Sequence, residues 1–362
     1  MNTNYASTEV NCPITGAKFT IVKNEFADGV KQFDEWVKDI IQRSNSGKTI
    51  NIAFDCEGFN LGTIPNSLGC IQLGEIFSDS FNIKANSIPQ NVGQKGGFIV
   101  FTPFNNETKE NLRQIFNNRN VFLYSFDATM DLSAILDASI NINFENIFDS
   151  QVASARNASF YLFNTKIRGL KWFVSESIRM DQYASRAVSL LNDDKNNYFD
   201  ITAFLFKDIS NPEHAMIRDG FIQLAAADVY MTGLAALYCI RSHLVQNVLI
   251  ATKKKMNEFN QFAQKCNSVL APAVGREISF FNSYRASNYN YGVQLSDRSE
   301  QDLMKLLKTF RDCTAVINAS KVLKNNYFGQ LSVMKAQEIY TESVQKLDKN
   351  KSRLEQILSS IF

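Results

Sequence analysis

Four carboxylates stand out in this chain by their settings: Asp55, Glu57, Asp131 and Asp228. Asp55 and Glu57 close the segment "KTINIAFDCEG" (48–58), where apolar residues alternate as they do in a strand. That alternation puts positions 55 and 57 on one face. Two carboxylates so close repel, raise each other's pKa and favour a shared cation, although a lone Asp-x-Glu is often surface decoration. Asp228 lies inside "GFIQLAAADVYMTGLAALY" (220–238), where nearly every neighbour is apolar or small. A buried carboxylate is costly unless it is paired, protonated or bound to a metal. Asp131 opens a helix in "ATMDLSAIL" (128–136), with Asp127 one turn earlier, and acids at helix N-termini are ordinary partners of the helix dipole. Asp149, in "IFDSQVAS", reads as a helix N-cap.

These acids must be held by elements that the periodicity outlines. Phe33, Trp36, Ile40 and Ile41 predict an amphipathic helix over 31–43. Strands are predicted at 48–55 and 68–77, and a third in either 79–85 or 96–104. A helix over 106–118, a strand at 120–124, the helix at 128–136 and a strand at 144–148 continue the alternation. Helices follow near 150–156 and 168–178, then a nearly unbroken helical pattern from 219 to 265. Such alternation predicts an α/β domain with a mixed sheet flanked by helices. Lys253, Lys254 and Lys255, on the last of these helices, read as a solvated face.

The apolar window 221–240 is long enough to raise a membrane reading. It contains Gln223 and Asp228, and an Asp near a bilayer centre costs roughly 3 kcal/mol on insertion scales. A buried helix in a soluble core is therefore the expectation, with no membrane partner.

Of the 362 residues, 45% are hydrophobic and 20% charged, which fits a soluble globular protein. Six Cys without any Cys-x-x-Cys, and only two His, argue against a classical zinc site. Reduced thiols imply an intracellular protein of the cytoplasm or nucleus, and the N-terminus shows no basic start followed by an apolar run. The net charge of +2 hides an asymmetry: residues 251–362 carry 17 Lys and Arg against 10 Asp and Glu. That part could attract a polyanion, and a solvated helical surface would look much the same.

Taken in order, the pieces resemble the RNase D-type branch of the DEDD 3′–5′ exonuclease superfamily, over about residues 30–245. "FDCEG" resembles the first motif and "LGCIQL" the second strand, while "VFLYSFDATMDLSAIL" resembles the second motif. "NIFDSQVAS", "GLKWFVSES" and "LAAADVYMTGLAALY" resemble the segments that follow, the last being the third motif. The resemblance implies an RNase H-like domain with a mixed five-stranded sheet over 31–250. An N-terminal extension (1–30) would precede it and a helical C-terminal region (251–362) would follow. It implies that Asp55, Glu57, Asp131 and Asp228 are the catalytic, metal-binding acids. They would hold two Mg²⁺ or Mn²⁺ for hydrolysis of single-stranded RNA or DNA, RNA being the expected substrate.

One departure bears on activity. The family carries a Tyr four residues before the last Asp, or a His five before it, and here those positions hold Leu224 and Gln223. Leu cannot hydrogen-bond water, whereas Gln can orient a water but cannot take its proton. Tyr230 lies about 200° round the helix from Asp228 and faces away, and His214 stands in the preceding loop. The alternative is a catalytically impaired relative that binds RNA or scaffolds an RNA-processing complex. In that respect the chain resembles degenerate exonuclease-like proteins of small-RNA pathways. After residue 268, Arg276, Tyr284, Arg285 and Tyr289 form a possible base-stacking surface, or simply pack the C-terminal helices. Helices are expected near 298–311 and 332–361. In the last, Tyr340, Leu347, Leu354 and Ile361 recur every seven residues, a seam for a homodimer or for folding back.

Overall fold

Alternation in the central strand decides which helix layer meets which side chain. In β3 (Ile50–Gly58), Ile50, Ile52, Phe54 and Cys56 enter one core, and Ala53 enters another on the opposite face. Asp55 and Glu57 share the parity of Ala53. The structure, a computed structural model, describes residues 9–276 except 59–60, 64–65, 79, 86, 94, 155–167, 193–214, 266 and 274–275. Tyr284, Arg285, Tyr289, His214 and the two C-terminal helices lie outside the described residues.

The sheet is built around β3. β4 (Leu68–Glu75) and β5 (Gly97–Phe101) continue from it as an antiparallel meander, and β6 (Val121–Ser125) and β7 (Ile147–Asp149) add in parallel on its other side. Two strands that the sequence reading did not foresee, β1 (Glu9–Asn11) and β2 (Lys18–Val22), form an antiparallel hairpin. β2 pairs in parallel with β5. The sheet therefore has seven strands in the order β1-β2-β5-β4-β3-β6-β7, not five. This mixed α/β architecture is consistent with an RNase H-like fold. The third strand falls in the later of its two candidate segments, and 83–85 forms only a 3₁₀ turn.

Helices cover both faces. On one, α1 (Ala27–Asn45), α2 (Asn106–Phe116) and α3 (Thr129–Asp137) bury Phe33, Val37 and Ile40, Leu112 and Ile115, and Leu132 and Ile135. α2 starts where the Asn105 side chain accepts the Thr108 N–H at 2.7 Å. The other face takes α4 (Leu170–Glu176), α5 (Ala184–Asn192) and the long α6 (Ala215–Arg241). α6 seats closely because β4 offers a glycine beneath it. A Cβ added at Gly74 would lie 2.8 Å from a Val229 methyl, closer than packed carbons tolerate. The window Phe221–Arg241 is long and apolar enough to cross a membrane, yet 83% of it is buried inside the protein, as a core helix would be.

The helical run 219–265 is two helices. α6 ends and α7 (Val245–Lys265) begins across a turn in which His243 adopts φ 56°. The Leu244 N–H reaches Cys239 O at 2.9 Å and the His243 N–H reaches Ile240 O at 3.1 Å. This is a Schellman cap with histidine in the position that glycine usually takes. The cap ends α6, and beyond it Met256, Phe259 and Phe262 of α7 pack into the α1–α3 core.

Candidate functional site

The parity of β3 aims Asp55 and Glu57 toward the layer of α6, and α6 supplies Asp228. One carboxylate oxygen from each of Asp55, Glu57 and Asp228 lies within 4.8 Å of the others. Asp228 is 3% exposed, while the other two are half-buried. Asp55 and Glu57 stand opposite Gln72 and Cys70 of β4, and the register of the ladder shifts between Glu57 and Gly58, the last residue of β3. Two oxygens on one Mg²⁺ are at most about 4.2 Å apart, twice the metal–oxygen distance. A small inward movement would therefore let three such oxygens share an ion.

The donor set fits a hard cation. Burial, reinforced by the charges of Glu57 and Asp55, pushes the Cys70 thiol well up. Burial and Asp131, then Asp55, do the same to Cys56. Neither sulfur offers a thiolate, so the ligands available here are carboxylate oxygens, which suit Mg²⁺ or Mn²⁺.

Asp131 stands outside that group of three, although it is electrostatically part of the site. Its carboxyl is buried on α3, and burial followed by the charges of Asp55, Asp127 and Asp149 pushes its pKa well above the ordinary carboxylate range, with Lys255 opposing. A divalent cation nearby would reverse that balance and favour the carboxylate.

Beside Asp131 sits an ionic cluster that the sequence reading missed. Lys255, read as part of a solvated face, is 1% exposed. Its Nζ donates to Asp149 Oδ2 at 2.6 Å and to Asp127 Oδ1 at 3.1 Å. Arg276, also buried, donates from Nη2 to Asp127 Oδ2 at 3.1 Å. Arg276 is thus turned inward against an acid, where it presents no guanidinium for base stacking. Asp149 also accepts the backbone N–H groups of Asp127, Ala128 and Gln151 at 3.0, 3.2 and 3.1 Å. It therefore ties down a turn, and the helical segment that directly follows it, Ser150–Ser154, is a 3₁₀ turn and no α-helix. Burial raises the Asp127 pKa, but Lys255 and Arg276 outweigh it and hold the carboxyl well below its ordinary value. Burial likewise works against the Lys255 charge, and Asp149 and Asp127 overcome it, so the ammonium persists to higher pH than usual.

The helix positions that flank Asp228 explain what else the site can do. Gln223 is exposed, about 140° round α6 from Asp228, and Leu224 is half-buried. Tyr230 turns away, as the helical angle requires, and its hydroxyl donates to the buried Asp181.

No protein-family model and no curated protein matches the chain. Among solved structures, the chain is similar to the catalytic core of RRP6 from Trypanosoma brucei, with a TM-score of 0.38 and 12% identity over 93% of this chain and 84% of that one. A mutant of the same core gives the same score and identity over 87% and 79%. The likeness is distant.

Proposed function

We propose that the chain is a metal-dependent 3′–5′ exonuclease of the RNase D type, acting on single-stranded RNA or DNA inside the cell. The reading rests on the convergence of Asp55, Glu57 and Asp228 within 4.8 Å, from a strand and a helix more than 170 residues apart in sequence. Acids gather in this way, against their mutual repulsion, where a cation offsets it. The exonuclease domain, expected over 31–250, would also take in the β1–β2 hairpin and α7, which share its sheet and core. The basic remainder of 251–362 would hold the polyanion near it.

Asp55, Glu57 and Asp228 would hold the metal, and Asp131, one helix away, would complete the set for a second ion. When bound, the ions supply Lewis acidity at the scissile phosphodiester. The protein's own part is to fix the acids on rigid elements, β3 and α6, so that the phosphate meets a preformed geometry. Gln223, the candidate for orienting the attacking water, is exposed about 140° round α6 from Asp228, and an amide there could orient a water but not deprotonate it.

Leu224 supports a second reading, a catalytically impaired relative that binds RNA or scaffolds a complex. A general base contributes typically about 10²–10⁴-fold, and Leu224 occupies the position where the family places one. Incubating the purified full chain with 3′- and 5′-labelled single-stranded RNA in Mn²⁺ separates the readings. Stepwise trimming from the 3′ end, abolished by Asp55→Ala, is the expected result. An RNA left intact by both proteins refutes the exonuclease.

A further inference from the structure

Asp127 has φ 61°, a left-handed backbone that a residue other than glycine adopts only when its surroundings impose it. Asp149 accepts the N–H groups of Asp127 and Ala128, at 3.0 and 3.2 Å. The Asp127 carboxylate is held on one oxygen by Lys255 and on the other by Arg276, both at 3.1 Å. Lys255 in turn reaches Asp149 at 2.6 Å, so one ammonium from α7 joins the end of β7 to the turn between β6 and α3. Two acids and two bases leave the cluster neutral. A merely structural ion pair in this place would gain little, because apolar residues of similar volume commonly stabilise a buried site as well or better.

What the strained turn delivers is α3, whose first turn carries Asp131. Asp131 stands four residues beyond Asp127, on a helix that packs against β3, the strand that carries Asp55 and Glu57. We propose that Lys255 is a positioning residue: by clamping the Asp127 turn to Asp149, it sets Asp131 against Asp55, Glu57 and Asp228 for cation binding. The inference rests on the metal-site reading above and deepens it, because it makes α7 part of the device that completes the site.

The test is Mn²⁺ binding by the full chain, followed through the electron paramagnetic resonance signal of the free ion, with thermal unfolding in parallel. Lys255→Met is expected to weaken binding roughly tenfold, the lower end for loss of an outer-shell partner, and Lys255→Arg to restore most of it. In an Asp131→Asn background Lys255→Met should change affinity less than about twofold, since the residue it positions is already disabled. A Lys255→Met protein that melts earlier but binds Mn²⁺ as before overturns the proposal. So does equal weakening in both backgrounds. Should Lys255→Met fail to fold, Asp127→Asn serves in the same cycle, because Asn tolerates the left-handed backbone. Unchanged affinity there is equally fatal. If the unaltered chain binds no more Mn²⁺ than Asp55→Ala does, the metal reading itself falls and takes the proposal with it.

Discussion

Replacing Asp228 by Asn should stabilise the protein in the presence of a chelator and abolish its stabilisation by Mn²⁺. The oxygens of Asp55, Glu57 and Asp228 lie within 4.8 Å of one another. At that distance two unit charges repel by about 3.5 kcal/mol at an effective dielectric of about 20, and by about 0.9 kcal/mol in water. Asp55 and Glu57 are half-buried, so each of their repulsions with Asp228 falls between those limits. Neutralising Asp228 relieves both, while an amide forfeits about 1–3 kcal/mol of carboxylate hydrogen bonding. Toward the water-like end of that range, where half-exposed partners belong, the two repulsions together come to about 2–4 kcal/mol. The net gain is therefore of order 1 kcal/mol, which in a domain of this size raises Tm by about 2–4 °C. For the unaltered chain, Mn²⁺ at about a hundred times its Kd adds about 2.7 kcal/mol, and Asp228→Asn should lose that increment. Thermal unfolding of both proteins, with EDTA and with Mn²⁺, reads all four values. A variant that melts earlier than its parent in EDTA would make Asp228 a structural carboxylate. An equal Mn²⁺ shift in both proteins would put the ion elsewhere. Either result refutes the reasoning.

Three further outcomes follow from the same geometry. Lys255→Met should cost about 3 kcal/mol by urea unfolding, the low end for breaking a buried ion pair, because Asp149 keeps three backbone donors and Asp127 keeps Arg276. A loss under about 1 kcal/mol would show that the ammonium is less deeply committed than its contacts imply. Tyr230→Phe should cost about 1–2 kcal/mol, since buried Asp181 loses its hydroxyl donor and keeps the N–H groups of Tyr183 and Val92. It should leave Mn²⁺ affinity alone, and a change in affinity would mean that Tyr230 serves the metal site. Because the Asp127 carboxyl is held below its ordinary value of 3.8, its contribution is complete above that pH and is lost as pH falls toward the lower folded value. The stability gap between the unaltered chain and Asp127→Asn should be flat above about pH 4 and close below it, and a gap that persists at strongly acid pH would contradict the pairing.

The acids were legible because each sits on an element whose period assigns it a face. Alternation along 48–58 put Asp55 and Glu57 together, and an apolar helix around Asp228 required some compensation for its charge. The hairpin of β1 and β2 was not legible, because strands of 3 and 5 residues at a sheet edge carry too short a pattern to register as a period. Lys255 failed for a different reason. In the run Lys253-Lys254-Lys255 the composition reads as a solvated face, yet position 255 belongs to the stripe Val248, Ala251, Thr252, Met256, Phe259 and Phe262, all buried. Lys253 and Lys254 are exposed, and Lys253 reaches the surface acid Glu145. Periodicity could therefore have separated 255 from its two neighbours. It could not have named the partners, because Asp127 and Asp149 lie more than 100 residues upstream on two different elements. A lysine on an apolar stripe announces that an acid must be near, since a lone buried ammonium would lose its proton. Which acid it meets is settled only when the sheet order brings β6 and β7 side by side.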